Sequence, residues 1–247
     1  MTTAEGVPML TIAGSELRQL LRNRAVLITS FLMPVAASAF FIHYRDLFAS
    51  IGSLGYISAV IVFTIGAFTL YAATVTTLAA RRQSLFLKRL RSTAAGDPAI
   101  LGGLMLPLAA ISLFQVAVIL AVFAAISGAP SNVPLLVGAV ASTWAMMLVL
   151  GMATAGVTRS PEHAQVTTLP LSLGIIAVAS WVGITGTENM AVLKRLLPGG
   201  SATEMILDAW NGGVPVTESA LLLVPTLSWA AVATVLASRL FRWEPRR

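Results

Sequence analysis

Long apolar runs constrain the fold of this 247-residue chain more than any other feature. Two of them, residues 54–78 and 100–126, flank the most basic segment of the sequence. Such runs are typical of helices that cross a membrane, since about 20 apolar residues are needed to span the hydrocarbon core. Only 11% of the residues are charged, against roughly a quarter in soluble domains. The alternating apolar pattern of a membrane β-barrel is not seen in the sequence.

We therefore predict an all-α polytopic membrane protein with six transmembrane helices in one membrane domain, residues 25–240. The predicted spans are approximately 25–44, 54–78, 100–126, 134–157, 165–184 and 219–240. Within residues 1–24, leucines recur at helical spacing between charged residues, a pattern typical of an amphipathic helix that lies in the membrane interface. Residues 241–247 form a short tail.

The longest loop, residues 185–218, separates the fifth and sixth predicted spans. Ser201 and Glu204 have the Ser-x-x-Glu spacing of a helix capping box, and an Asn-Gly-Gly stop signal follows. These signals predict a short helix over residues 202–210 on the extracellular side. Its tryptophan, Trp210, favours a position in the interfacial layer, together with Met205 and Ile206.

The distribution of basic residues predicts the orientation of the chain. Of the 16 Lys and Arg, all but Arg45, Lys194 and Arg195 fall at one side of the membrane if the N-terminus is inside. Cytoplasmic loops carry such an excess of basic residues. Both termini and the basic segment are therefore predicted to be cytoplasmic.

The sequence contains no recognisable catalytic or cofactor-binding pattern. The two histidines, His43 and His163, lie on opposite membrane faces in the predicted topology and cannot share a metal. No Gly-Lys dipeptide occurs, so a phosphate-binding loop for ATP is excluded. The basic residues cluster at span ends, which argues against nucleic acid as a partner. An ATP-independent channel or carrier is a disfavoured alternative, because the centres of the spans lack charged residues. A membrane-embedded enzyme is disfavoured because the nucleophile and metal-ligand sets that it needs are missing.

A few polar residues lie within the predicted spans. Gln115, near the middle of the third span, is interpreted first as an interhelical hydrogen-bonding group and second as a substrate contact. Thr69 and Thr74 of the second span either line a polar cavity or bond to their own helix. These three residues are weak candidates for a translocation path.

The basic segment, residues 81–93, reads RRQSLFLKRLRST. A short helix here carries an apolar stripe beside a basic face. Such a helix either anchors the chain to anionic lipid or docks into a partner protein. The candidate residues are the cations Arg81, Arg82, Lys88, Arg89 and Arg91 and the apolar Leu85, Phe86, Leu87 and Leu90.

The motif LKRLRST, placed soon after the second of six spans, resembles the first cytoplasmic loop of type-2 ABC transporter permeases, the drug- and polysaccharide-exporting class. The amphipathic N-terminal helix, the short loop after span four and the long outer loop add to the resemblance. The family loop carries an acidic residue, a Gly and a Pro where this chain has Gln83, Leu85 and Ala94.

The resemblance implies a permease domain over residues 25–240, in a bacterial inner or plasma membrane. It implies a pair of permease protomers, a homodimer or a heterodimer, with spans one, two and five lining the path. Two separate ABC ATPase subunits then hold ATP and Mg²⁺, so this chain is not itself an enzyme and binds no cofactor. The expected substrate is hydrophobic or amphipathic, such as a drug, antibiotic or lipid; the alternative is a lipid-linked polysaccharide.

Within that resemblance, the basic segment is the coupling helix that docks in a groove of the ATPase. Its apolar residues provide packing and its cations provide charge complementarity. The loop of residues 158–164, with Arg159, is the smaller second contact.

Overall fold

The computed structural model describes residues 6–22, 24–93, 95–241 and 243, and for residues 6–8 and 24–30 the backbone alone. The described residues form helices and connecting turns, with no strand among them. The all-α fold class is thereby confirmed. The helices are α1 (Gly6–Arg22), α2 (Arg24–His43), α3 (Arg45–Ile51), α4 (Leu54–Ile65), a π-helical segment (Gly66–Tyr71), α5 (Ala72–Gln83), α6 (Phe86–Arg91), α7 (Asp97–Ser127), α8 (Val133–Val157), α9 (Pro161–Thr185), α10 (Ala191–Leu196), α11 (Gly200–Asn211), α12 (Val216–Leu221) and α13 (Leu223–Leu240).

Five helices in the described part are long and apolar enough to cross a membrane, and they correspond to predicted spans two to six. They are Leu54–Gln83, Asp97–Ser127, Val133–Val157, Pro161–Thr185 and Val216–Leu240. Predicted span one coincides with α2, whose described apolar portion, Phe31–His43, is shorter than a membrane crossing. The remainder of this span has undescribed side chains, so the sixth crossing stays a prediction.

The helix Leu54–Gln83, made of α4, the π segment and α5, is the centre of the bundle and is called here the central helix. In the most apolar stretch of the central helix, 83% of the residues are buried within the protein. In the corresponding stretch of Val216–Leu240 the share is 22%. Helices α2, α7, α8, α9 and α11 pack around it. Small residues permit the close approach: an added Cβ at Gly151 of α8 would lie 2.9 Å from Thr74 Cβ. Exposed apolar side chains cover the outer helices, as expected where lipid replaces water.

Helix α1 packs along α7, with Ile12 directly against Gly103. Ala13 and Glu16 are buried on that side. Leu10, Leu17 and Leu21 form an exposed apolar stripe on another side of the helix. Helix α1 therefore has the predicted amphipathic character, and one of its faces packs against α7.

Helix α11 covers predicted residues 202–210 but begins differently from the prediction. The capping box does not form: Gly199, at φ +93°, precedes the helix without a side-chain cap. The Ser201 hydroxyl instead lies 3.0 Å from Thr226 Oγ1. Glu204 bonds to Arg195, because a carboxylate with a guanidinium in reach gains a charge-assisted pair.

The predicted contact of three α11 side chains with the membrane interface is replaced by packing within the protein. Met205, Ile206 and Trp210 are buried, because α11 packs between α4, α8 and α9 at the end of the bundle opposite the basic segment. Trp210 lies 4.9 Å from Phe123, measured between ring centroids. The helix is part of the protein core.

Candidate functional site

The backbone turns sharply between the central helix and the basic segment. Helix α5 ends at Gln83, and Leu85 adopts the left-handed conformation, φ 58° and ψ 14°, immediately before α6. Leu85 and Met190 are the non-glycine residues with positive φ in the described part of the chain. This conformation costs a β-carbon-bearing residue about 1–2 kcal/mol. The strained turn sets α6 off as a separate helix and leaves the Leu85 side chain 45% exposed.

The apolar residues of α6 are divided between the protein core and its surface. Leu87 is fully buried in the main core, and Phe86 and Leu90 pack against that core while partly exposed. The resemblance assigned all three, together with Leu85, to packing against the ATPase. The structure uses Leu87 to hold the short helix on the bundle.

Two arginines at the end of the central helix also hold the segment in place. Arg81 Nη2 donates to Glu16 Oε2 at 2.6 Å and to Gln19 Oε1 at 2.8 Å, and its guanidinium lies over the Phe86 ring. Arg82 is almost entirely buried. The buried partner Glu16 was not identified from sequence; its signal was an acidic residue within a predominantly apolar and basic helix.

The later cations of the segment lie at the surface. Arg91 forms a two-bond pair with Asp97, with both distances 3.1 Å, and lies over the Trp243 ring. Arg89 Nη2 donates to the carbonyl oxygen of Ser84 at 2.8 Å. Lys88 and Arg89 are exposed. Asp97 therefore pairs with the basic segment, while α7 begins without a side-chain cap.

The short loop between α8 and α9 lies beside this segment. Arg82 Nη1 donates to the carbonyl oxygen of Ala155 at 3.0 Å, and Arg82 Nη2 donates to that of Thr158. Arg159, next to Thr158, is exposed. The structure thus places Arg159 and the basic segment at the same end of the bundle. The exposed candidates at this end are Leu85, Lys88, Arg89, Arg91 and Arg159. Arg91 is paired with Asp97, and the other four are called here the exposed basic patch.

The weak translocation candidates lie inside the chain. Thr69, in the π segment, donates to Gln115 Oε1 at 2.9 Å, and both residues are 3% exposed. This is the interhelical hydrogen bond considered from the sequence. Thr74 is fully buried against Gly151 of α8. All three side chains therefore belong to the packed interior of a single chain.

A second polar cluster lies at the opposite end, around α10 and α11. Arg195 and Glu204 form two bonds of 2.7 Å, and Thr187 donates to the same carboxylate. Burial raises the pKa of Glu204, but hydrogen bonds from Arg195 and Thr187 outweigh it and hold this pKa below its ordinary value. Burial raises the pKa of Asp208, only partly opposed by the hydrogen bond from Ser219. The pKa values of Glu204 and Asp208, one helical turn apart on α11, are therefore shifted in opposite directions.

Lys194 is buried in the same region. Its Nζ donates to Thr185 Oγ1 at 2.7 Å and to the carbonyl oxygen of Gly186 at 2.6 Å, and it lies 5.0 Å from the Trp181 ring centre. These contacts tie α10 to the end of α9. Within the described ranges, no group of three or more His, Cys, Asp or Glu side chains is placed to hold a metal ion.

No protein-family model matches this chain, and no curated protein matches its sequence.

Proposed function

We propose that the chain is the membrane permease subunit of an ATP-driven exporter of the type-2 ABC class. The observation that carries the proposal is the backbone of Leu85. This position, where the resembling family loop has a glycine, has φ 58°, the conformation that glycine adopts without strain. At the position of the family's glycine the chain thus has a turn that suits glycine, although the residue is leucine.

The exposed basic patch is the surface that we propose meets the ATPase. Leu85 offers an apolar side chain, and Lys88, Arg89 and Arg159 offer exposed cations. An acidic groove with an apolar floor complements such a surface, because charge speeds and orients docking while the apolar contact adds affinity. The buried residues of the segment support the patch rather than form it.

The contacts of the basic segment also suggest how closure of the ATPase moves the membrane helices. Displacement of α6 acts on the core through Leu87, and on Arg81 through the Phe86 ring beneath its guanidinium. Arg81 bonds in turn to Glu16 of α1, and its neighbour Arg82 bonds to the end of α8. These contacts link the patch to the central helix and to its neighbours. A packed interior moves in discrete rearrangements, so a shift at the patch is passed on to the helices.

The buried positions of Thr69, Thr74 and Gln115 favour a path between two permease protomers over one through a single chain. A hydrophobic or amphipathic substrate, such as a drug, antibiotic or lipid, suits an outer helix surface that is mostly apolar. A lipid-linked polysaccharide is the alternative substrate, and export assays with both classes separate the two.

The proposal is tested by purifying the tagged chain from its native membrane in mild detergent. An ABC ATPase is expected to co-purify, and ATP hydrolysis is expected in the complex but not in the chain alone. The double variant Lys88→Glu/Arg89→Glu is expected to lose the ATPase while inserting normally. The matched control is Arg45→Glu, a charge reversal outside the exposed basic patch. Unaided transport by the isolated chain, or retention of the ATPase by the double variant, contradicts the proposal.

A further inference from the structure

Arg82 is the largest fully buried side chain in the described part of the protein, with 1% of its surface exposed. Burying a guanidinium costs several kcal/mol unless its hydrogen bonds are replaced. Here two of its nitrogens donate to the carbonyl oxygens of Ala155 and Thr158, at the end of α8.

Those two carbonyls make a suitable site for an arginine. The last carbonyls of a helix have no partner within the helix and carry partial negative charge. A planar guanidinium reaches two of them together, whereas a lysine offers one point of contact. Arg82 therefore joins the end of the central helix to the end of α8.

The loop that follows α8 is held from both sides. Thr158 Oγ1 lies 3.0 Å from Thr167 Oγ1 of α9, and the Ser160 side chain caps the start of α9. Arg159 lies between these two residues. Its backbone position is consequently set by the Arg82 contact on one side and by α9 on the other.

We propose that Arg82 is a positioning residue that holds the loop of residues 158–160 in register with the basic segment, so that a docking partner meets one composite surface. The identity of that partner rests on the proposed function; the positioning itself is a property of this chain alone. Movement of the basic segment then carries α8 and α9 with it.

The test compares Arg82→Gln and Arg82→Met with the unchanged protein by hydrogen exchange of the full chain in lipid nanodiscs. Amides of residues 155–160 are expected to exchange about tenfold faster in both variants, equivalent to about 1.4 kcal/mol. Amides of α7 and of the loop 128–132 at the opposite end are expected to stay unchanged. Both variants remove the buried charge and its bonds. The methionine variant also leaves no polar side-chain group that needs a partner, and so folds even where the glutamine variant does not.

A second measurement uses the absence of cysteine from the chain. A nitroxide attached at Arg159→Cys is expected to become more mobile in the Arg82 variants, and Arg82→Lys is expected to restore part of the order. A nitroxide at Ala129→Cys, in the opposite loop, is the control.

Unchanged exchange at residues 155–160, or equal increases throughout the chain, overturns the positioning role and leaves the permease proposal intact. Conversely, if no ATPase binds the chain but the local exchange increases, Arg82 positions the loop and the proposed function fails. The two ideas are therefore separable with one set of variants.

Discussion

The side chain of Asn211 lies against the backbone of Gly55, so that the last residue of α11 holds the first turn of the central helix. Asn211 Oδ1 accepts from the Gly55 N–H at 3.1 Å, and its Nδ2 donates to Ser53 Oγ at 3.0 Å. The first N–H groups of a helix have no partner within it. Asn211 supplies a hydrogen-bond partner for the Gly55 N–H from a distant part of the chain.

Gly55→Ala is expected to destabilise the protein by about 1–3 kcal/mol, because the added methyl overpacks a tight contact. An added Cβ would lie 2.9 Å from the Leu207 Cα, a backbone atom that cannot move aside. Thermal unfolding in detergent measures the effect. The control is Gly174→Ala on α9, where an added Cβ meets no atom within 4 Å. Equal unfolding temperatures for the two variants would show that the contact between α11 and the central helix is loose.

Leu85→Gly is expected to stabilise the chain by about 1 kcal/mol, because glycine adopts the left-handed conformation without strain. Under the proposed function, the same change is expected to weaken docking of the ATPase several-fold, since the exposed apolar side chain is lost. Leu85→Ala separates the two effects: it also removes the side chain but retains the strained backbone. Unfolding temperature and co-purified ATPase are the two measurements. A glycine variant less stable than the alanine variant would contradict the backbone argument.

The cluster on α11 predicts opposite pH dependences for two carboxylates. The pKa of Glu204 is lowered in the folded protein, so its stabilisation is present above the ordinary carboxyl pKa and is lost as the pH falls through the lowered value. Glu204→Gln is therefore expected to cost about 1 kcal/mol at neutral pH, a modest figure because Arg195 is partly exposed, and little in acid.

The charge of Asp208 affects the stability of the folded protein in the opposite direction from that of Glu204. Its pKa is raised in the folded protein, so its charge lowers stability above that raised value and the cost disappears in acid. Asp208→Asn is expected to raise the unfolding temperature at neutral pH and to leave it unchanged in acid. Unfolding temperatures across a pH series test both variants; curves of the same sign for the two would refute the assignment.

Thr69 and Gln115 are expected to couple by about 1 kcal/mol, in the range measured for hydrogen bonds between membrane helices. A double-mutant cycle with Thr69→Val and Gln115→Leu measures the coupling through unfolding temperatures. Thr76→Val is the control, because the Thr76 hydroxyl bonds to the carbonyl of Ala72 in its own helix. A coupling near zero would show that the bond adds no stability.

The sequence predicted spans two to six well, because apolar length depends only on local composition. It failed at α11, where Ser201 and Glu204 have the spacing of a capping box but find better partners in Thr226 and Arg195. Those partners are brought close by packing, which a local motif does not record.

The basic segment shows the same limit. In the sequence, Leu85 and Leu87 are equivalent apolar members of the amphipathic pattern, and Arg82 and Lys88 are equivalent cations. The structure exposes one residue of each pair, Leu85 and Lys88, and buries the other. The difference arises from the left-handed turn at Leu85 and from the carbonyls at the end of α8. Both depend on how distant helices meet, so spacing alone does not assign them.

The contact between Asn211 and Gly55 joins residues 156 positions apart, and this has a consequence for biogenesis. The ribosome adds about 5–20 residues each second, so the central helix enters the bilayer many seconds before α11 has been synthesised. Throughout that interval its first turn lacks the side chain that later satisfies it, and lipid or the insertion machinery covers the surface that α11 will occupy. Assembly of the bundle therefore waits until α11 has been synthesised and folds onto a helix that was inserted earlier.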